Sequence, residues 1–145
     1  MLDLAYAAGP DRTRLVGRRH SGPLLVQRPF YPEPGGVCHT YVLHPPSGIV
    51  GGDELRLTAT LAPGTAALIT TPGATRCYRS RGPTARIAQS LRVDDGAALE
   101  WLPQETLLFD GARVTMRTRV DLAPAARFIG WDIACLGRPA CGERY

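Results

Sequence analysis

Apolar and polar residues alternate with a period of two through several stretches of this chain. From Arg113 onward, Val114, Met116, Thr118, Val120 and Leu122 share one side, and Arg113, Thr115, Arg117, Arg119 and Asp121 share the other. Successive side chains of a strand point to opposite faces, so the pattern predicts a half-buried strand. The same reading predicts a strand over 53–61 with Leu55, Leu57, Ala59 and Leu61 turned inward. Another covers 86–93, with Ile87, Leu91 and Val93 inward. The segment 37–44, VCHTYVLH, is a further strand by its β-branched and aromatic content. No stretch carries a sustained helical stripe, which leaves short helices to the surroundings of Tyr78–Thr84 or to sequence beyond the end of the chain.

Turn signals follow the strands at similar places: Ala62-Pro63-Gly64, Asp94-Asp95-Gly96 and Ala123-Pro124-Ala125. Each is followed by an apolar segment, and aligning these makes Leu68, Leu99 and Phe128 equivalent, 31 and 29 residues apart. A period of about 30 built from strand, turn and strand predicts a mostly β protein whose strands are wound in a stacked or helical, β-helix-like arrangement. Hairpin turns rich in Gly, Ala and Pro that resemble one another by composition alone are the alternative. The last strand is expected over Arg127–Leu136, with Trp131 and Ile133 on one parity and little sequence after it. In a wound sheet each layer buries its apolar face against the next, so stopping there exposes a strand edge. Aggregation or dependence on a partner is the expectation for the chain alone.

Length fits a single β-rich domain over 1–145, since 145 residues bury a substantial core. With 44% hydrophobic and 21% charged residues and no block of like charge, disorder is excluded. Sixteen Gly and 13 Pro argue against long helices. The net charge of +4 suggests a polyanion partner until one notes that all 17 basic residues are Arg, with Lys and Asn absent. Coding poor in A explains that bias without selection for phosphate contacts. Without lysine there is no G-x-x-x-x-G-K-[ST] phosphate loop, no Schiff base and no pyridoxal anchor. Asp3 stands where a signal peptide needs positive charge and no apolar h-region follows, which predicts a cytoplasmic protein with its four cysteines reduced. The uncharged windows 34–52 and 57–75 are broken by Pro and Gly, so no membrane span is expected.

The densest segment is 28–53, RPFYPEPGGVCHTYVLHPPSGIVGGD. Pro45 and Pro46 end the strand before them, and Gly48, Gly51 and Gly52 permit a tight return into the strand that Asp53 begins. A dinucleotide cradle needs G-x-G-x-x-G opening a helix, and here the spacing differs and a strand follows. Cys38 and His39 are strand neighbours and face apart, while Cys38 and His44 share parity but lie roughly 20 Å apart at about 3.3 Å per residue. Cys135 and Cys141 form no C-x-x-C pair, so a closed zinc site is unsupported. Neither G-x-S-x-G nor H-E-x-x-H occurs. Glu100 and Glu105 flank a proline-containing loop, where solvated carboxylates are the ordinary outcome and acid/base work the less ordinary one. The Arg113, Arg117 and Arg119 face would suit an anion or simply be a solvated strand face.

RPFYPE, C-H-x-Y-x-L-H-P-P-x-G-I-V-G-G-D, L-I-T-T-P-G-A-T-R-x-Y-R-S, L-E-W-L-P-Q-E and C-L-G-R-P together resemble the urease accessory family UreD, also called UreH, in order from Leu2 to Tyr145. The resemblance implies a cytoplasmic, non-enzymatic maturation factor with a mostly β fold. It implies partners, too: UreF, the GTPase UreG and apo-urease, into which nickel is delivered, with no cofactor tightly bound. Ser47 and Cys77 depart from the family pattern, and family members continue well past C-L-G-R-P, which makes this the N-terminal portion of a longer family domain. Of the family's acidic residues linked to a metal-conducting passage, Asp53 is the one matched here, as a transient nickel contact. The plainer role for Asp53 is to order the Gly51-Gly52 turn through a side-chain to backbone hydrogen bond. A basic β-rich module binding nucleic acid or another polyanion is the competing function.

Overall fold

The computed structural model describes residues 1–143 and is built almost wholly of short strands. Nine of them form three successive coils of three strands. The first coil holds β5 (Glu54–Leu61), β6 (Ala66–Thr70) and β7 (Thr75–Cys77). β8 (Ala85–Val93), β9 (Ala98–Leu102) and β10 (Thr106–Leu108) make the second, and β11 (Val114–Leu122), β12 (Arg127–Gly130) and β13 (Ala134–Leu136) the third. Corresponding strands stack in parallel, giving the sheet faces β5-β8-β11, β6-β9-β12 and β7-β10-β13. The stacked arrangement expected from the repeat is therefore observed.

Before the first coil, β1 (Leu2–Ala8) pairs parallel with β5, and β4 (Cys38–Leu43) pairs parallel with β6. Their outer sides are covered by antiparallel strands, β2 (Thr13–His20) on β1 and β3 (Leu25–Val26) on β4. The alternation read from the sequence sets the core. Leu55, Leu57, Ala59 and Leu61 of β5 and Ile87, Leu91 and Val93 of β8 are buried, joined by Leu2, Leu4 and Tyr6 of β1. On β11 the predicted inward residues Val114, Met116, Thr118 and Val120 are half-buried and the arginines opposite them exposed.

Three expectations need correction. Leu99 stacks on Phe128 as expected, but its partner in the first coil is Ala67, and Leu68 stands opposite Glu100. The turns decide this register: Gly64 and Gly96 both occupy the left-handed region, with φ of 70° and 67°, and aligning them sets the first interval at 32 residues. Side chains alternate along a strand, so the one-residue slip moves Leu68 to the other face. No helix forms over 78–84, whose backbone is held instead by the Arg79–Ala112 bridge. Pro139–Cys141, a 3-10 turn, is the sole helical element among the described residues. The last strand is also broken. Between β12 and β13, residues 131–133 turn the chain from one face to the next, with the Trp131 indole N–H donating to the Pro103 carbonyl at 2.9 Å.

Candidate functional site

The loop joining β4 to β5 carries the HPPSGIVGGD segment, and its shape follows from its residues. The two prolines end β4, the Ser47 N–H donates to the His44 carbonyl at 2.9 Å, and Ser47 takes a φ of 66°. Ile49 then bridges to the first coil, its N–H donating to the Arg76 carbonyl at 2.7 Å and its carbonyl accepting from the Tyr78 N–H at 2.9 Å. Gly51 lies where a Cβ would stand 2.2 Å from Ser80 Oγ and 2.6 Å from the Pro83 carbonyl oxygen. Gly52 is left-handed, with φ of 93°. The glycines thus serve a tight return into a strand, as the spacing predicted.

Asp53 closes this return. Its Oδ2 accepts from the Val50 N–H at 2.9 Å, while its own N–H donates to the Val50 carbonyl at 3.1 Å. The Asp53 carbonyl accepts from the Arg86 N–H at 2.8 Å, fixing the residue to the second coil. Asp53 is half-buried, and among the described residues its Oδ1 receives no hydrogen bond. The side-chain to backbone turn contact considered from the sequence is therefore present, with one carboxylate oxygen left over.

His44, at the other end of the loop, feels the Asp53 charge. Burial holds the His44 imidazole below the usual histidine range, and the Asp53 carboxylate opposes that shift. His44 also lines a cavity of about 220 Å³ between the sheet faces, with Ile49, Leu55, Ile87 and Trp101 among its apolar walls. Asp132 lines the same cavity and accepts hydrogen bonds from Thr118 Oγ1 at 2.6 Å and Trp101 Nε1 at 3.4 Å. Sequence reasoning weighed His44 only against Cys38 and missed Asp132. The first comes under the Asp53 charge through loop folding, and the second lies at a corner that was read as continuous strand.

The remaining candidates stay apart. Cys38 is buried and His39 half-buried on the opposite face, its Nε2 2.6 Å from Glu33 Oε1. Burial pushes the Cys38 thiol up, and the Cys77 thiol up to about 11, so neither is a ready thiolate at neutral pH. Cys135 and Cys141 are free, and among the described residues no group of three or more His, Cys, Asp or Glu side chains is gathered to hold a metal. Glu100 is exposed and Glu105 half-buried. On the arginine face, Arg119 is paired with Asp121 at 2.9 Å and Arg113 donates to the Gly82 carbonyl at 3.3 Å. No described helix is long and apolar enough to cross a membrane.

Two comparisons define the class of protein: the chain matches a family of urease accessory proteins along residues 1–145, and curated relatives agree. It belongs to that family, UreD urease accessory protein. Urease accessory protein UreD of Pseudomonas putida (strain W619) is 56% identical over 144 residues, covering 99% of this chain and 52% of that protein. The UreD of Dechloromonas aromatica (strain RCB) is also 56% identical over 144 residues, covering 99% of this chain and 50% of the relative. That of Delftia acidovorans (strain DSM 14801 / SPH-1) is 52% identical over 146 residues, covering 100% and 48%. The chain thus spans about half the length of the curated relatives it matches, as an N-terminal part.

Proposed function

We propose that the protein acts in urease maturation as a cytoplasmic, non-enzymatic scaffold that helps nickel into apo-urease together with UreF and the GTPase UreG. The observation that carries this reading is the family match along the entire chain. The site's chemistry is compatible with a cargo that binds and leaves. Nickel takes carboxylate oxygen, and a lone donor without a closed cage releases what it holds. Asp53 supplies a carboxylate oxygen that accepts no hydrogen bond among the described residues. The absence of lysine leaves GTP hydrolysis to a partner.

The test is Asp53→Ala in a urease-producing system that carries the variant protein. Nickel content of urease should fall while capture of UreF persists. Equal nickel loading would remove Asp53 from the nickel route. Association with the urease machinery that survives nuclease treatment and raised salt separates this reading from the polyanion alternative. Phosphate-driven binding falls by orders of magnitude over a few-fold rise in salt.

A further inference from the structure

The three lateral faces of the coil carry different charge. On the β6-β9-β12 face the outward residues include one cation and one anion, Arg127 and Glu100, set among Leu68, Leu102 and Ile129. On the β7-β10-β13 face Arg76 is the one charged outward residue among the described residues. The β5-β8-β11 face is unlike both: Arg56, Arg86, Arg92, Arg117 and Arg119 point outward, with Glu54 and Asp121 against them. Three net positive charges thus sit on one face of a chain whose total is +4.

The rows across these strands form a slot. Arg56, Ala88 and Arg117 stand in one row across β5, β8 and β11. Neighbouring strands lie about 4.8 Å apart, so the two arginine stems rise roughly 10 Å from each other with a methyl group between them. The next row is low as well, with Thr58 and Ser90 beside Arg119. Glu54 holds Arg86 at 3.2 Å and Arg56 at 3.4 Å, and Asp121 holds Arg119 at 2.9 Å. Arg117 has no ion pair among the described residues and lies diagonal to Arg86 across the β8–β11 pair. Exposed ion pairs add little to stability and neighbouring like charges subtract from it, so the stability of the sheet does not account for the clustering.

We propose that the β5-β8-β11 face docks an acidic protein surface, with a partner carboxylate entering over Ala88 between Arg56 and Arg117. This rests on the maturation reading above and names the surface through which the protein meets the urease machinery. A guanidinium presents planar, paired N–H donors that match a carboxylate, and two of them on opposite sides of one small residue grip it from both flanks. A nucleic acid is the poorer occupant. Its phosphates form an unbroken row of negative charge, and Glu54 and Asp121 lie in the path of such a row, whereas a protein surface of mixed charge can meet them with its own cations.

The experiment purifies the tagged protein from a urease-producing system and measures the apo-urease and accessory proteins held on it, at fixed salt and with nuclease added. Arg56→Gln combined with Arg117→Gln should lower capture at least about tenfold, while melting of the purified protein stays level or rises. Ala88→Glu, which fills the slot with the chain's own carboxylate, should block capture too. Arg14→Gln combined with Arg18→Gln, at exposed positions of β2, should leave capture as it was. Capture untouched by the Arg56 and Arg117 changes would overturn this docking face and leave the maturation reading standing. Capture abolished by nuclease would assign the face to nucleic acid and overturn the proposal. A wild-type protein that holds none of the urease machinery would overturn both readings.

Discussion

Gly48 lies against the ring of Tyr78 so closely that a Cβ on Gly48 would stand 2.1 Å from Tyr78 Cε2. The ring in turn meets Phe109 edge-on, with centroids 5.2 Å apart, so shifting it to admit a Cβ would give up that contact. Gly48→Ala should therefore destabilise the protein by about 1–3 kcal/mol, as overfilled sites do. Denaturant melts should show it, and Tyr78→Ala in the same chain should recover part of the loss.

The two roles available to Asp53 separate by chemistry. Asp53→Asn keeps an oxygen that accepts the Val50 N–H, whereas Asp53→Ala removes it. Asp53→Ala should cost about 0.5–1.5 kcal/mol and Asp53→Asn less than half of that. If the carboxylate charge serves nickel, both variants should lose nickel transfer alike, so stability and nickel loading would part company in the Asn variant. Thermal melts beside urease nickel content would show the pattern.

His44 gives the metal-free protein a pH signature. Its folded-state value lies below the ordinary one because burial disfavours the imidazolium. The unfolded chain therefore binds the proton more readily, and stability falls as pH drops from the ordinary histidine range of about 6.5 to the lower folded value. Below that value the loss is complete. NMR titration of the imidazole should show the lowered midpoint, and Asp53→Asn should lower it further by removing the opposing charge. His44→Gln should flatten the stability profile in that window.

Thr13, at the start of β2, accepts the Ala66 N–H at 2.8 Å through its hydroxyl and so ties the outer strand to the first coil. Thr13 is buried. Thr13→Val keeps the volume and strands that donor, which should cost about 1–3 kcal/mol. Chemical denaturation measures the loss, and exchange of the Ala66 amide should quicken more than that of Leu91 in the middle of β8.

Most of the coil was legible because β5 and β11 alternate cleanly, β8 does so except at Gln89, and the turns after them resemble one another. What escaped was register. Leu68 looks equivalent to Leu99 when apolar residues are aligned, but the left-handed glycines at 64 and 96 fix the turn, and Ala67 takes the inward place. The β12–β13 corner hid behind Trp131 and Ile133, whose apolar character reads as strand although they lie at a bend. β1 escaped as well, since its alternating Leu2, Leu4 and Tyr6 are interleaved with one polar residue, Asp3, and then with Ala5 and Ala7, which blur the pattern. At the site, Asp53 was reachable through its motif. His44 and Asp132 acquire meaning only when folding brings distant segments to one cavity.

The spacing between coils is uneven in an orderly way. Leu55 and Ile87 are 32 residues apart, whereas Ile87 and Met116 are 29 apart, yet all three stand in one column. The difference is absorbed at the corners. The one after β6 has four residues (71–74) and its counterpart after β9 has three (103–105), while seven residues (78–84) follow β7 and five (109–113) follow β10. Length is thus negotiable at the bends and rigidly conserved in the strands, where one added residue would turn every later side chain inside out. A single residue inserted beside Gly82, where a Cβ would meet nothing within 4 Å, should be absorbed by the 78–84 bend, whereas the same insertion within β8 should unfold the stack.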